Sequence, residues 1–324
     1  MSAVVLLGAT LIDRLVGDPD WLWRRLPHPV VGFGWAIAAT ERGLNRPQWP
    51  PRWRKASGIA AILALLALAA GLGFAIEVGL RGLGPAGLAA EAVVASVLLA
   101  QKSLADHVRR VAVALETGGV EAGRRAVSMI VGRDPQSLDA AGVGRAAIES
   151  LAENASDGVV APWLFLVLFG LPGLMAYKML NTADSMIGHL DARYREFGYG
   201  AARLDDLANW PAARLTAGLF ALAALLRRGR TAARGALHAA RRDAPHHRSP
   251  NAGWPEGAMA GALGLALGGP RRYGELVVDA PMLNAAGRRE AGTGDIADAL
   301  ALFGCVGDTL LAASVLAVVL VAVL

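Results

Sequence analysis

The chain has 324 residues, a mean hydropathy of +0.41 and only 18% charged residues, against roughly 25% in an ordinary soluble domain. With 54% of its residues hydrophobic, it reads as a membrane protein rather than a soluble enzyme. The formal charge of +5 comes from a chain with 32 basic residues, among which the lysines are Lys55, Lys102 and Lys178. Arginine used in place of lysine beside abundant alanine reflects composition, so no nucleic-acid partner is expected.

The opening stretch MSAVVLLGATLIDRL has neither a basic leader nor a small-x-small cleavage site, and is expected to be an uncleaved anchor. Residues 13–56 follow with eight basic and four acidic side chains, a balance of +4, and with Trp21, Trp23, Trp35, Trp49 and Trp53. Arginine excess faces the cytosol and tryptophan favours the interface, so this segment is predicted to lie at the cytosolic surface. Within it, GDPDWLWRRLPHPVVGFG sets His28 between two prolines. A lone histidine in such a rigid loop is more often structural than catalytic. Residues 57–76 carry no charge over twenty residues, enough to cross a core of ~30 Å at ~1.5 Å per residue. Residues 85–101, with Glu91 as their single acid, are a second candidate span.

Residues 102–158 are polar and mixed in charge, with helical periodicity and a Gly-Gly break at Gly118 and Gly119. Paired helices outside the bilayer are predicted there. The stretch ends in ESLAENASDG, where Glu149, Glu153 and Asp157 fall at i, i+4 and i+8, with Asn154 adjoining. On an α-helix this is one face, and like charges so spaced oppose each other by a few tenths of a kcal/mol per pair. A divalent cation would offset that, since Mg²⁺ takes carboxylate and amide oxygens and commonly a phosphate. A solvated acidic face is the alternative.

Residues 159–190 are too long for one span and are interrupted by GLPG at 170–173. Two helices meeting at Pro172 are predicted, because freed backbone at membrane depth is tolerated where it lines protein or a cavity. The second contains YKMLNTADSMIGH, in which Lys178, Asn181, Asp184 and Ser185 share one face of an otherwise apolar helix. Ionisable groups in such a place are costly and are functional by default. A proline kink alone would explain the break but not the polar stripe.

ARLDDLANWPAARLTA adds Arg203, Asp205, Asp206, Asn209 and Arg214, and the segment 211–226, only sixteen residues long, is short for a span, which leaves the span count open. Residues 227–254 hold seven arginines against Asp243, a balance of +6, and should face the cytosol. HHRSPNAGWPEGAMAGALG then brings Arg248 and Asn251 to a turn before a helix that begins near Pro255 and Glu256. Arg248, amides near Asn251 and that helix N-terminus could hold an anion. The last apolar run, 303–324, contains Asp308 and the single cysteine, Cys305, read as a small core residue.

GDPDWLWRRLPHPVVGFG, ESLAENASDGVVAPW, YKMLNTADSMIGH, ARLDDLANWPAARLTA and SPNAGWPEGAMAGALG together resemble the CobD/CbiB family of cobalamin biosynthesis, the adenosylcobinamide-phosphate synthases. They run in that family's order from Gly17 to Gly264, and beyond Gly269 the likeness thins. The resemblance implies a membrane enzyme that joins adenosylcobyric acid to an amino alcohol phosphate, such as (R)-1-amino-2-propanol phosphate, through an amide at a corrin propionate. A carboxylate needs activation for that step. ATP could supply it, with Mg²⁺ and cations on the transferring phosphoryl group. The resemblance places Glu149, Glu153, Asp157, Lys178, Asn181 and Asp184 in the catalytic set, with Asn154 as a further metal ligand beside the acids. Lys178 would sit on a phosphate. Substrate contacts would come from His28, Arg203, Asp205, Asp206, Arg214, Arg248, Asn251 and Glu256, with Arg214, Arg248 and Asn251 on the amino alcohol phosphate. ATP is a co-substrate on this reading, and the corrinoid is substrate rather than cofactor.

The expected fold is all-α: a polytopic integral membrane helical bundle with broken helices and a cytosolic helical segment. Residues 1–324 would form one enzyme domain, with 102–158 largely outside the bilayer. The chain should sit in the cell inner membrane, its site reached from the cytosol, its partners the bilayer and the two substrates. A homo-oligomer or other corrinoid-pathway enzymes remain open as partners. The competing readings are a transporter or non-catalytic sensor of the same ancestry and a CDP-alcohol phosphotransferase-like enzyme. Against the last, DGVVAP puts Pro162 where that family's opening motif has arginine.

Overall fold

The computed structural model describes residues 2–132, 134–273, 276–278 and 280–323. It is 78% helical, so the all-α expectation holds. The helices are α1 (Ala3–Leu15), α2 (Asp20–Trp23), α3 (Pro29–Leu44), α4 (Pro51–Arg81), α5 (Pro85–Ser96), α6 (Gln101–Val127), α7 (Ala140–Asn154), α8 (Ala161–Ile187), α9 (Tyr199–Arg228), α10 (Arg230–Asp243), α11 (Gly253–Leu263) and α12 (Thr293–Val323). Short ladders pair β1 (Leu267–Gly268) with β4 (Met282–Leu283) and β2 (Arg271–Tyr273) with β3 (Leu276–Val278), both antiparallel. Among the described residues, 4 helical stretches are long and apolar enough to cross a membrane: Pro51–Arg81, Pro85–Val127, Ala140–Ile187 and Thr293–Val323. The chain divides into two compact units.

The first unit comprises Met1–Ala100, Ala161–Asn209 and Ala313–Leu324. Its central pairing is α4 on α8. Along α4 the buried residues are Gly58, Ala61, Ile62, Leu65, Ala69 and Gly73, one stripe at three- and four-residue spacing. Leu63, Leu68, Leu72 and Phe74 point outward. The stripe is small because the partner backbone comes very close: a Cβ on Gly73 would lie 2.8 Å from Pro172 Cα. Without a hydrophobic drive between helices in lipid, such close backbone packing is what holds them together.

The break in α8 falls at Gly170 (φ 68°), two residues before the predicted Pro172. Glycine tolerates the left-handed backbone that reverses the ladder, whereas proline can only follow, in the first turn of the next segment, where its missing N–H costs nothing. The freed Leu171 N–H donates to Glu77 Oε2 on α4 (3.0 Å). Arg81 pairs with Glu77 (2.7 Å) and reaches Glu91 of α5 (3.4 Å), whose side chain is fully buried. Glu77 thus caps the second half of the broken helix from a neighbouring one.

The second unit comprises Gln101–Val160 and Trp210–Ala312. Helix α6 bends at Gly119 (φ 66°), the predicted Gly-Gly break, and packs on α7. Asp139 caps α7 by accepting the Gly142 N–H (2.6 Å). At its other end α7 passes into a π-helical turn, Ala155–Val160. The expectation that Glu149, Glu153 and Asp157 repeat along one α-helical face is corrected here. Asp157 lies inside the π turn, whose i→i+5 bonding departs from the 3.6-residue period.

Candidate functional site

In the first unit a chain of buried polar groups joins α8 to the start of α9. The Tyr177 hydroxyl donates to Asn209 Oδ1 (2.7 Å), and Asn209 Nδ2 donates to Asp205 Oδ2 (2.9 Å). Burial first, and then the negative charge of Asp184, push the Asp205 carboxyl up to about 7, against the hydrogen bonds of Asn209 and Asn181. Among the described residues Asp205 has no cationic partner. Asn181, Asp184 and Asp205 are therefore brought together, an association the sequence reading did not make, and Lys178 lies half-buried on the same helix as Asn181 and Asp184. Gly188 was not singled out by sequence, yet a Cβ there would collide with the Asp184 carboxylate. Arg203 stands apart, exposed and paired with Asp206 (3.2 Å).

His28, also in this unit, is a helix cap. Its Nδ1 accepts the Val30 N–H (3.2 Å), Nε2 lies 3.5 Å from Asp18 Oδ1, and Trp23 packs edge-on at 4.5 Å. These contacts give it a structural job in the loop before α3.

In the second unit Arg214 is the best-defined cation. It donates to Asn251 Oδ1 (2.8 Å) and to the carbonyls of Pro250 and Trp210 (each 3.1 Å). The rings of Trp210 and Trp254 flank its guanidinium at 4.6 and 4.8 Å, a stacking that lysine could not reproduce. Arg214 and Asn251, both expected as substrate contacts, are bonded to each other. Trp210 and Trp254 escaped sequence reasoning, although Trp210 stands four residues before Arg214 and so shares its helical face. Ser249 was also missed: its hydroxyl accepts the N–H groups of Asn251 and Ala252 and shapes the turn before α11. Arg248 is exposed beside that turn, and Glu256 is buried in the first turn of α11, 3.9 Å from His247 Nε2.

The acids of α7 differ in situation. Glu149 is 4% exposed and its Oε1 accepts the Gly268 N–H (2.8 Å), tying α7 to β1. Glu153, Asn154 and Asp157 are half-buried, and Asn154 Nδ2 donates to the Ser150 carbonyl (2.9 Å). Among the described residues no three His, Cys, Asp or Glu side chains gather as a metal cage. Within each unit, taken by itself, the donors are nonetheless hard oxygens, from carboxylates and carboxamides. They suit Mg²⁺, which is typically held by one or two carboxylates and completes its shell with water and substrate phosphate. The residues fit an ion delivered with a nucleotide better than a resident one.

Membrane-length helices, among them the broken α8, whose Tyr177 bonds to a buried acid–amide pair on α9, define a polytopic helical membrane protein. Comparison with known proteins narrows the class: the family profile described as CobD/Cbib protein matches residues 6–303, and the chain belongs to that family. The match continues well past Gly269, where the motif-level likeness faded. The chain is 58% identical over 311 residues to a protein of Sinorhizobium fredii called cobalamin biosynthesis protein CobD, covering 96% of this chain and 95% of that one. A Rhizobium meliloti protein of the same description is 57% identical over 94% of each chain. A Rhodobacter capsulatus one is 46% identical over 93% of this chain and 92% of its own. No solved structure matches.

Proposed function

We propose that this protein serves cobalamin biosynthesis as a multi-pass enzyme of the cell inner membrane, a single enzymatic domain that forms the amide between adenosylcobyric acid and an amino alcohol phosphate at the expense of ATP. Membership of the CobD/Cbib family supports the pathway. The observation that carries the chemistry is the buried Asp205 carboxylate, held by Asn209 and with no cationic partner among the described residues. An amine arrives as an ammonium and must lose a proton before it attacks, and a positioned carboxylate is suited to accept it.

The propionate carboxylate attacks the γ-phosphorus of ATP, releasing ADP and leaving an acyl phosphate. The amine nitrogen then attacks the acyl carbon, its proton passes to the carboxylate, and inorganic phosphate leaves. Lys178 binds a nucleotide phosphate as a compact point charge. Arg214, Arg248 and Asn251 recognise the amino alcohol phosphate, Arg214 with its orientation set by the two indoles. Within the first unit Asp184 and Asn181 are the oxygen donors that Mg²⁺ would take; within the second, considered separately, Glu153, Asn154 and Asp157 are the donors and Glu149 braces α7. Bound Mg²⁺ supplies charge neutralisation at the phosphoryl group. The remaining assignments are His28, Arg203, Asp206 and Glu256 at the margins of substrate binding.

The test is ATP turnover by purified protein in detergent or lipid. ADP and phosphate should appear only when Mg²⁺, adenosylcobyric acid and the amino alcohol phosphate are all present. Turnover indifferent to the amine, or uptake of corrinoid into vesicles without amide formation, would replace this reading with another.

A further inference from the structure

Helix α10 has two faces of opposite character. Ala236, Ala239 and Ala240 are buried against α11, where Gly235 and Gly261 let the backbones approach so closely that a Cβ on either would collide. The other face carries Arg230, Arg234, Leu237, His238, Arg241 and Arg242, all exposed and spaced along one side of the helix. Arg242 is occupied by Asp243 through hydrogen bonds of 2.6 and 2.7 Å. Among the described residues Arg230, Arg234 and Arg241 have no ion pair and no hydrogen-bond partner for their guanidinium groups. Unneutralised guanidinium groups one turn apart repel one another. An anionic surface outside the protein would offset that.

The position of the helix selects the surface. Leu222, Leu225 and Leu226 at the end of α9 are exposed, Gly229 (φ 88°) makes the elbow, and α10 begins at the next residue. Arg228, just before the elbow, is bonded to Asp298 (2.8 Å). Asp298 stands at the polar start of α12, whose remaining length is a candidate membrane span. The arginine face therefore starts at the boundary between a membrane-crossing helix and water. Leu237 lies in the middle of that face, in a depression of about 550 Å³ lined by Arg234, His238, Arg241 and Arg242. An exposed leucine ringed by cations is the pattern of a helix that rests in a headgroup layer. A docking site for a soluble acidic peptide would not need to begin at a membrane span.

We propose that the outward face of α10 docks on anionic phospholipid headgroups of the bilayer, with Leu237 entering the interface. Each arginine near a charged membrane surface contributes about fivefold to that preference, and salt screens it. The test uses full-length Cys305→Ala/Leu237→Cys protein carrying an environment-sensitive thiol dye, reconstituted in nanodiscs of phosphatidylcholine alone or with phosphatidylglycerol. In the anionic discs the dye should shift to the blue and be quenched by a nitroxide placed on the headgroup, and high salt should reverse both. Arg230→Gln/Arg234→Gln/Arg241→Gln should abolish the difference between disc types. Inorganic phosphate added to neutral discs should have no effect. Identical emission in the two disc types would overturn the proposal, and so would a response reproduced by inorganic phosphate. A blue shift produced only by adding an acidic peptide would assign the face to a protein partner instead. The comparison of lipids uses the native arginines, so it decides the matter even if the triple variant is poorly folded.

Discussion

Asp205 and Lys178 set opposite electrostatic problems within one unit. The Asp205 carboxyl is raised to about 7 by burial and by Asp184, so the fold favours its neutral form. The stabilisation is fully present below about pH 4, the value of a free carboxyl, and is lost as pH rises through 7. Asp205→Asn mimics the neutral form. It should melt at a higher temperature than the parent at pH 8 and near the same temperature at about pH 4, while losing turnover. Thermal unfolding of the purified protein at the two pH values checks this, and a variant that keeps the parental pH dependence would assign the titration elsewhere. Lys178 is the second residue-scale prediction. Lys178→Ala should cost roughly a hundredfold or more in turnover, about 3 kcal/mol of transition-state stabilisation. Lys178→Arg should not restore it, because a planar fork cannot take the place of a compact ammonium. If lysine merely snorkels toward headgroups, the arginine variant will show parental kinetics for both ATP and the amine.

At the scale of the element, the broken helix α8 depends on a side chain from α4. Glu77 receives the Leu171 N–H and is itself held by Arg81. A backbone donor left without a partner in an apolar setting costs about 1–3 kcal/mol. Glu77→Ala should therefore lower the melting temperature by about 5 °C in a chain of this size. Glu77→Gln, whose carbonyl can still accept the N–H, should lose less. Equal losses would show that the ion pair matters and the cap does not. The hydrophobic pattern made α4, α8 and α12 legible as long apolar helices, and the glycines at 118–119 marked the bend of α6. The pattern erred by two residues in α8. Proline is the more conspicuous breaker, but glycine is the residue that can take the positive φ. It also missed the π turn at Ala155–Val160, since nothing in ESLAENASDG departs from helical spacing.

For the whole molecule, the arginine excess of residues 13–56 and 227–254 predicts that both face the cytosol. Cysteine placed at Arg234 in a Cys305→Ala background should resist a membrane-impermeant thiol reagent in intact cells and react after permeabilisation. Ready labelling from outside would reverse the orientation. The sequence by itself determined that this is a helical membrane protein, because uncharged runs of membrane length have few other places to be. Its ordered polar motifs also led to the CobD/Cbib family. Tertiary structure decided which of those motif residues are neighbours. Asn209 and Asp205 could be paired on α9 from their spacing of four, but only packing turns Tyr177 of α8 toward them. In the same way it clamps Arg214 between Trp210 and Trp254, draws Glu149 into a bond with Gly268, and gives His28 the work of a cap. Helical periodicity constrains neighbours three and four residues apart along one chain segment. Which faces then meet depends on where small residues let backbones approach, and that is a property of the assembled fold.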